Sequence, residues 1–243
     1  MIDIHSHILP EIDDGAKNSA ESIELLREMK RQGITKVVAT PHFYIQEQSI
    51  DSFLKTRQKS YESLMSKIDA SEGLPEIILG AEVYFSPMLK NIDVAPLCIE
   101  NTDYFILEMP YQNITNDLRR QINNYINGSE KIPILAHIER YERFTSLENI
   151  EEMLSYGVLA QINTSSLDTM KGRRVITELI NRGFVNVLGS DTHNLTSRKT
   201  NFDYAKKFFD RKFGPALMQA FENNANVILN NEDLDHILTM SRI

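Results

Sequence analysis

A short apolar run that ends on a polar, metal-capable residue and then gives way to a helical stretch recurs along this chain. No other feature limits the fold as much. The first run, Ile2-Asp3-Ile4, has the period-two pattern of a strand and leads straight into His5-Ser6-His7. Residues 35–40 lead to Pro41-His42, 77–81 to Glu82, 104–107 to Glu108, 132–136 to His137, 158–162 to Asn163, and 185–189 to Ser190-Asp191-Thr192-His193. Segments of helical period lie between them. Asn18 and Glu21 form a capping-box pattern ahead of Ile23, Leu26 and Met29, with Gly33 as the stop. Phe53, Leu54, Tyr61, Leu64, Met65 and Ile68 make the stripe of a long helix closed by Gly73 and Pro75. Further helices are expected over 116–126, 147–156, 175–182 and 202–228. Seven strands alternating with helices predict an α/β protein with a parallel sheet, and the repetition predicts closure into a seven-stranded barrel. At 243 residues, one domain spanning 1–243 is expected.

In such barrels the reacting groups gather at the carboxyl ends of the strands. The candidates here are His5, His7, Asp14, His42, Glu82, Glu108, His137, Asp191 and His193. Singly, each has an ordinary explanation. A histidine after a strand is usually a hydrogen-bonded loop residue, and Glu82 or Glu108 alone would be a solvated carboxylate or an ion-pair partner. Two pairs break that pattern. Residues i and i+2 of a strand point to the same side, so His5 and His7 can hold one ion, and Asp191 with His193 repeats the geometry on the last strand. Barrel closure would bring the first and last strands side by side. Carboxylates converging this densely would repel one another without cations. Nine donors exceed the needs of one ion, and imidazole mixed with carboxylate, without sulfur, suits zinc, iron or manganese. A bridging carboxylate, with Glu82 the best placed, would let ions sit about 3.5–4 Å apart, generate hydroxide at neutral pH and stabilise the attacking and leaving oxygens of a phosphoryl group.

Arg140 follows His137 by three residues and Arg198 follows His193 by five. Either alone would be a surface ion-pair partner; two so placed suggest a phosphate clamp. Tyr44, Tyr111 and Tyr141 fall just beyond strand ends and are candidates for an aromatic rim. Cys98 is the sole cysteine. A thiol-dependent tyrosine phosphatase needs arginine six residues on, where this chain has Tyr104, so Cys98 is read as structural. A single cysteine permits no internal disulfide and fits a reducing compartment. The formal net charge of −8 counts against a nucleic-acid groove. No apolar run reaches the roughly 18 residues of a membrane span, and the chain starts with a strand rather than a signal sequence. A cytoplasmic protein without direct membrane insertion is expected.

Asp3-Ile4-His5-Ser6-His7, Thr40-Pro41-His42, Gly80-Ala81-Glu82, Leu107-Glu108, Ala136-His137 and Gly189-Ser190-Asp191-Thr192-His193, in this order, resemble the motifs of the PHP (polymerase and histidinol phosphatase) family. The run His7-Ile8-Leu9-Pro10-Glu11-Ile12-Asp13-Asp14-Gly15-Ala16 is similar to one branch, the manganese-dependent protein-tyrosine phosphatases of bacterial capsule and exopolysaccharide systems. The resemblance implies a distorted seven-stranded barrel of PHP type and a trinuclear Mn2+ site, with iron or zinc as alternatives. It places His5, His7, Glu82 and Asp191 on one ion, Glu82, Glu108 and His137 on a second, and Asp14, His42 and His193 on a third. Arg140 and Arg198 fall on the family's phosphate-binding arginines. The implied reaction is hydrolysis of phosphotyrosine. The implied partner is the tyrosine-rich tail of a bacterial tyrosine kinase that regulates polysaccharide export.

Two departures alter the pocket while keeping ligands and arginines. His137-Ile138-Glu139-Arg140-Tyr141 stands where the family has His-Pro-Glu-Arg-Asn, and Gly80-Ala81-Glu82 where it has Gly-Gln-Glu. His42 and Asp191 are the candidates for proton donor to the leaving oxygen, although a tight ligand cannot also be a free acid. Three rivals remain. A small-molecule phosphoesterase of the same family would act on histidinol phosphate or a nucleotide. A metal-dependent amidohydrolase also begins with His-X-His but commonly needs a carboxylated lysine, where this chain has Glu82. A non-catalytic binding module would keep the metal site for stability.

Overall fold

The structure is a computed structural model and describes residues 1–155 and 158–237. Its strands are β1 (Ile2–Ser6), β2 (Lys36–Ala39), β3 (His42–Phe43), β4 (Glu76–Leu79), β5 (Glu82–Tyr84), β6 (Tyr104–Glu108), β7 (Ile132–Leu135), β8 (Leu159–Asn163) and β9 (Val187–Gly189). All strand pairs are parallel, in a three-stranded sheet β1-β2-β4 and a six-stranded sheet β3-β5-β6-β7-β8-β9. Seven continuous strands were expected, and two of them are split. Thr40-Pro41 parts β2 from β3, and Gly80-Ala81 parts β4 from β5. Proline brings no N–H to a ladder. At Gly80 an added β-carbon would lie 3.1 Å from the Val38 side chain, so the backbone there runs close to its neighbour. The sheet curls until its ends meet. The Asp191 amide donates to the His5 carbonyl at 2.8 Å, and the His7 amide to the Thr192 carbonyl at 2.9 Å.

Helices follow the strands. α1 (Ser19–Arg31) is capped by the Asn18 side chain, which accepts from the Glu21 amide. α2 (Ile50–Met65) is capped by Ser49 and stops short of Ile68; a separate short turn, Ala70–Glu72, precedes Gly73. α3 is Asn116–Gly128, α4 Leu147–Leu154 and α5 Met170–Asn181. Tyr156, the expected end of α4, lies outside the described residues. The helices expected over 202–228 are α6 (Phe202–Phe213) and α7 (Pro215–Leu229). Gly214 at φ +86° turns the chain between them, and Pro215 opens the second.

Side-chain alternation divides the strands between two buried apolar layers. Val37, Phe105, Leu107, Leu135, Ile162 and Leu188 pack with helix residues such as Leu25, Ile122, Met153 and Ile176. Ile4, Val38, Tyr104, Ile106, Ile134, Leu159 and Val187 belong to a second layer. Each such aliphatic side chain contributes about 1.5–3 kcal/mol by leaving water. Stepping two residues at a time toward the carboxyl ends of this second set gives His42, Glu108, Asn163 and Asp191. The apolar floor and the polar cluster above it are therefore stacked on one face.

β7 departs from this: past Ile134 the step meets Ala136 and Ile138, and His137 joins the cluster where the backbone turns at φ +33°. β1 is the other exception. Between Asp3 and Ser6 it carries one residue more than the paired stretch Val37–Ala39. This bulge lets Ile4 stay in the floor while His5 and His7 join the cluster. Buried Asp3 fills the bend, accepting from the amides of His5 at 3.2 Å and Ser190 at 2.9 Å.

Candidate metal centre

Three overlapping sets of donor atoms form at the carboxyl edge: His5, His7, Glu82 and Asp191; His7, Asp14, His42 and His193; and His42, Glu82 and Glu108. Within each set the donor atoms lie within 4.8 Å of one another. Glu82 is the hub. Its Oε2 lies 3.2 Å from Nε2 of both His5 and His7 and 3.1 Å from His42 Nδ1; its Oε1 lies 3.0 Å from His137 Nε2. His137 Nε2 also lies 3.6 Å from Glu108 Oε1. All nine candidates from the sequence thus fall in one cluster. The floor is closed and the mouth open: His5, His7 and Glu82 are buried, whereas the Asp14 side chain is 61% exposed.

The donor set fits cations. Glu82 Oε2, His42 Nδ1 and His193 Nε2 are buried without a hydrogen-bond partner despite near neighbours. Buried polar atoms are nearly always paired. Atoms that converge without bonding one another are arranged for a shared positive centre. Protonation shows the same demand. Burial, and then Glu82, push the Glu108 carboxyl up to about 8. Burial disfavours a charged His7, but Asp13 outweighs it and raises the ring to about 9. Burial lowers His137 to about 4 and His193 to about 3. Burial also opposes ionised Asp191, yet His5, Arg140 and His7 hold it well below the usual carboxylate range.

The ring nitrogens are sorted by partners that sequence reasoning missed. His7 Nδ1 donates to Asp13 Oδ2 at 2.7 Å, His193 Nδ1 to the Asp191 carbonyl at 2.9 Å, and His5 Nδ1 to Gln161 Oε1 at 3.0 Å. Each bond leaves Nε2 free to ligate. Asp13 sits beside the candidate Asp14, and nothing in the sequence separates the two. Asp13 also accepts from the amides of Gly15 and His42, tying three loops together. Gln161 accepts from the His137 amide at 2.9 Å and donates to Asn163, which donates to Asp191 Oδ2 at 2.8 Å. β8, the strand without a candidate ligand, therefore supplies supports for His5, His137 and Asp191. An alternating buried Gln161 and Asn163 on an otherwise apolar strand was the available signal. Gln161→Leu is expected to weaken binding of a divalent cation about 10–100-fold. Calorimetric titration measures this directly; unchanged affinity in a folded variant would remove Gln161 from this role.

Both arginines reach the cluster. Arg140 Nη2 lies 2.7 Å from Asp191 Oδ2, and Arg198 Nη2 lies 3.0 Å from Asp191 Oδ1. Arg198 Nη1 also bonds Asp14 at 3.1 Å. His137 (φ +33°) and Asp191 (φ +52°) adopt left-handed backbone conformations that side-chain-bearing residues avoid, a strain typical of functional sites. Gly189 admits their neighbours: a β-carbon there would lie 2.6 Å from His5 Cβ.

The aromatic rim is only partly as expected. Tyr111 is at the surface and accepts from Arg140 Nη1 at 3.1 Å. Tyr44 lies against His42 and against Tyr84, which the sequence did not mark. Tyr141 is not on the rim; it is fully buried, donating to the Met109 carbonyl at 2.6 Å. Cys98 is buried, and burial pushes its thiol up to about 12, unlike a nucleophilic thiolate.

A parallel α/β sheet that carries overlapping imidazole–carboxylate sets and two guanidinium groups at its carboxyl edge defines the class: a metal-binding protein built for anion chemistry. The chain belongs to the capsular polysaccharide synthesis family CpsB/CapC, whose family model matches residues 1–230. It is 30% identical over 251 residues to tyrosine-protein phosphatase CpsB of Streptococcus agalactiae serotype III (strain NEM316), covering 95% of this chain and 99% of that protein. It is 27% identical over 242 residues to tyrosine-protein phosphatase YwqE of Bacillus subtilis (strain 168), covering 96% and 93%. The fold matches a chain from the crystal structures of YwqE from Bacillus subtilis and CpsB from Streptococcus pneumoniae, described as unique metal-dependent tyrosine phosphatases. The TM-score is 0.84 at 24% identity, covering 98% of this chain and 97% of that one. Among the described residues no helix is long and apolar enough to cross a membrane.

Proposed function

We propose that this chain is a metal-dependent protein-tyrosine phosphatase of bacterial capsule or exopolysaccharide synthesis. Its substrate on this reading is the phosphorylated tail of a bacterial tyrosine kinase, met in the cytoplasm by a single-domain enzyme. The observation that carries the reading is the hub: overlapping donor sets share Glu82 beneath two arginines that both reach Asp191. Family membership and the names of the relatives support the substrate class. We read the nine strand segments as seven staves of a distorted PHP-type barrel, with β2–β3 and β4–β5 each one interrupted stave.

Three manganese ions are the reading for the cluster, iron or zinc being the alternatives. His5, His7, Glu82 and Asp191 would hold one, Glu82, Glu108 and His137 a second, and Asp14, His42 and His193 a third. When bound, such ions supply Lewis acidity toward phosphoryl oxygens and make water a nucleophile at neutral pH. Arg140 and Arg198 present forked donors that match phosphate oxygens. Tyr111 and Tyr44 flank the mouth where an aromatic leaving group would lie. Asp191 is held ionised, so it is a poor proton donor, and His42 is engaged by Glu82 and Asp14. A tyrosyl oxygen, with a phenol pKa of about 10, needs less help in leaving than a serine alkoxide. No phosphoenzyme forms on Cys98.

The test is phosphate release from a phosphotyrosine peptide with manganese and again after chelation, beside phosphoserine peptide and histidinol phosphate. Metal-dependent turnover of phosphotyrosine well above the others is expected; turnover of histidinol phosphate alone would overturn the substrate. The site also sets a pH dependence. Below about 8 Glu108 holds a proton, and below about 9 His7 does, and a cation must displace both. Manganese binding should therefore weaken steadily from pH 8 to pH 6, as read by the rise in melting temperature at fixed manganese. An equal rise at both pH values would contradict the assignment.

A further inference from the structure

We propose that the cleft beside Arg140 seats the residue next to the phosphotyrosine and selects a carboxylate side chain there, with Arg143 as its partner. The proposal rests on the protein-phosphatase reading. The cleft has a volume of about 360 Å3, and its lining includes Tyr111, Arg140, Arg143, Ser166 and Lys171. Two of these touch the metal centre, Arg140 through Asp191 and Tyr111 through His137, whose Nδ1 lies 3.1 Å from the Tyr111 hydroxyl. Arg140 spans both, with one nitrogen on Asp191 and another on Tyr111. A polypeptide whose phosphate lies over Asp191 therefore has a neighbouring side chain within reach of this cleft.

The charge of the cleft is what gives it a preference. Two carboxylates also line it, and both are engaged. Glu139 is buried and accepts from Ser166 Oγ at 2.6 Å, and Glu142 is held by Lys171 at 2.7 Å and by Arg174 at 3.4 Å. Arg143 is exposed, and among the described residues it has no carboxylate partner; its guanidinium rests near the Phe144 ring, 5.9 Å from the centroid. Arg143 is therefore available to a carboxylate on a bound peptide. The opposite side of the mouth differs. Residues 44–51, which follow His42, carry Glu47 and Asp51 and no cation. An acidic side chain would be drawn to the Arg143 side and repelled from the other. The preference should accordingly hold on one side of the phosphotyrosine only.

The experiment compares kcat/KM for phosphotyrosine peptides carrying Glu, Ala or Lys on the amino side, or separately on the carboxyl side, using the manganese-loaded full chain. Free phosphotyrosine is the reference substrate, because it has no neighbouring residue to read. The wild-type protein should favour Glu over Lys about fivefold on one side, the scale of one exposed ion pair. Arg143→Glu should abolish or invert that preference while leaving turnover of free phosphotyrosine within about twofold. Lys171→Glu, which removes one of the two cations holding Glu142 and adds a carboxylate to the cleft, serves as a second variant should Arg143→Glu lower the melting temperature. Equal rates for Glu and Lys peptides, or a preference that survives both variants, overturns the proposal and leaves the phosphatase reading standing. Failure to hydrolyse even free phosphotyrosine overturns the phosphatase reading, and this proposal with it.

Discussion

Glu82→Ala should lose metal-dependent phosphotyrosine hydrolysis by on the order of 10³-fold or more, the several kcal/mol that ions contribute to such transition states. The size of the effect follows from where Glu82 sits. Four imidazoles lie within 3.0–3.2 Å of its two oxygens, and it belongs to two of the three donor sets. Removing a peripheral donor such as Asp14 leaves two sets intact. Removing Glu82 leaves His5, His7, His42 and His137 crowded together without the carboxylate that makes them compatible. The manganese-induced rise in melting temperature should vanish together with activity. A variant that keeps both manganese binding and turnover would show that Glu82 bridges nothing.

Arg140→Ala should lower kcat/KM for phosphotyrosine about 10²–10³-fold, as loss of one preorganised donor to a transition-state oxygen does elsewhere. Metal binding should persist, because Arg198 still neutralises Asp191 at 3.0 Å. That separation distinguishes the two variants: Glu82→Ala loses metal and activity, Arg140→Ala activity alone. Arg140→Lys should recover little, since an ammonium cannot reproduce a fork that spans Tyr111 and Asp191. If Arg140→Ala also lost metal binding, the guanidinium would be holding the site together rather than receiving phosphate.

Much of this arrangement was legible in the sequence because strand chemistry is local. A side-chain period of two puts ligands and floor on the same face, so Tyr104-Ile106-Glu108 could be read as one row without knowing its neighbours. Helix starts were readable where a cap was present, as at Asn18. The breaks were less so. Helices were expected over 202–228 without a stated boundary between them, although Gly214-Pro215 is a helix stop followed by a helix start. The split of β2 from β3 was missed because Pro41 was read as a strand end rather than an interruption. Tyr141 follows a strand just as Tyr111 does, yet one is buried and the other is on the rim. The turn Ile138–Arg143 decides between them by directing Tyr141 toward Met109.

The inventory and its order are written in the primary structure: a histidine pair at the first strand, a matching Asp191 and His193 at the last, and carboxylates between. Side-chain type and strand period are properties of short segments, and no distant residue can alter them. Folding adds how the nine donors divide into overlapping sets, that Asp13 supports His7 while Asp14 faces the mouth, and that Gln161 links His5 to His137. Those outcomes depend on distances between residues that are 6 to 156 positions apart in the chain. They are set by the curl of the sheet, the β1 bulge and the close approach at Gly189, where packing rather than local propensity fixes the geometry.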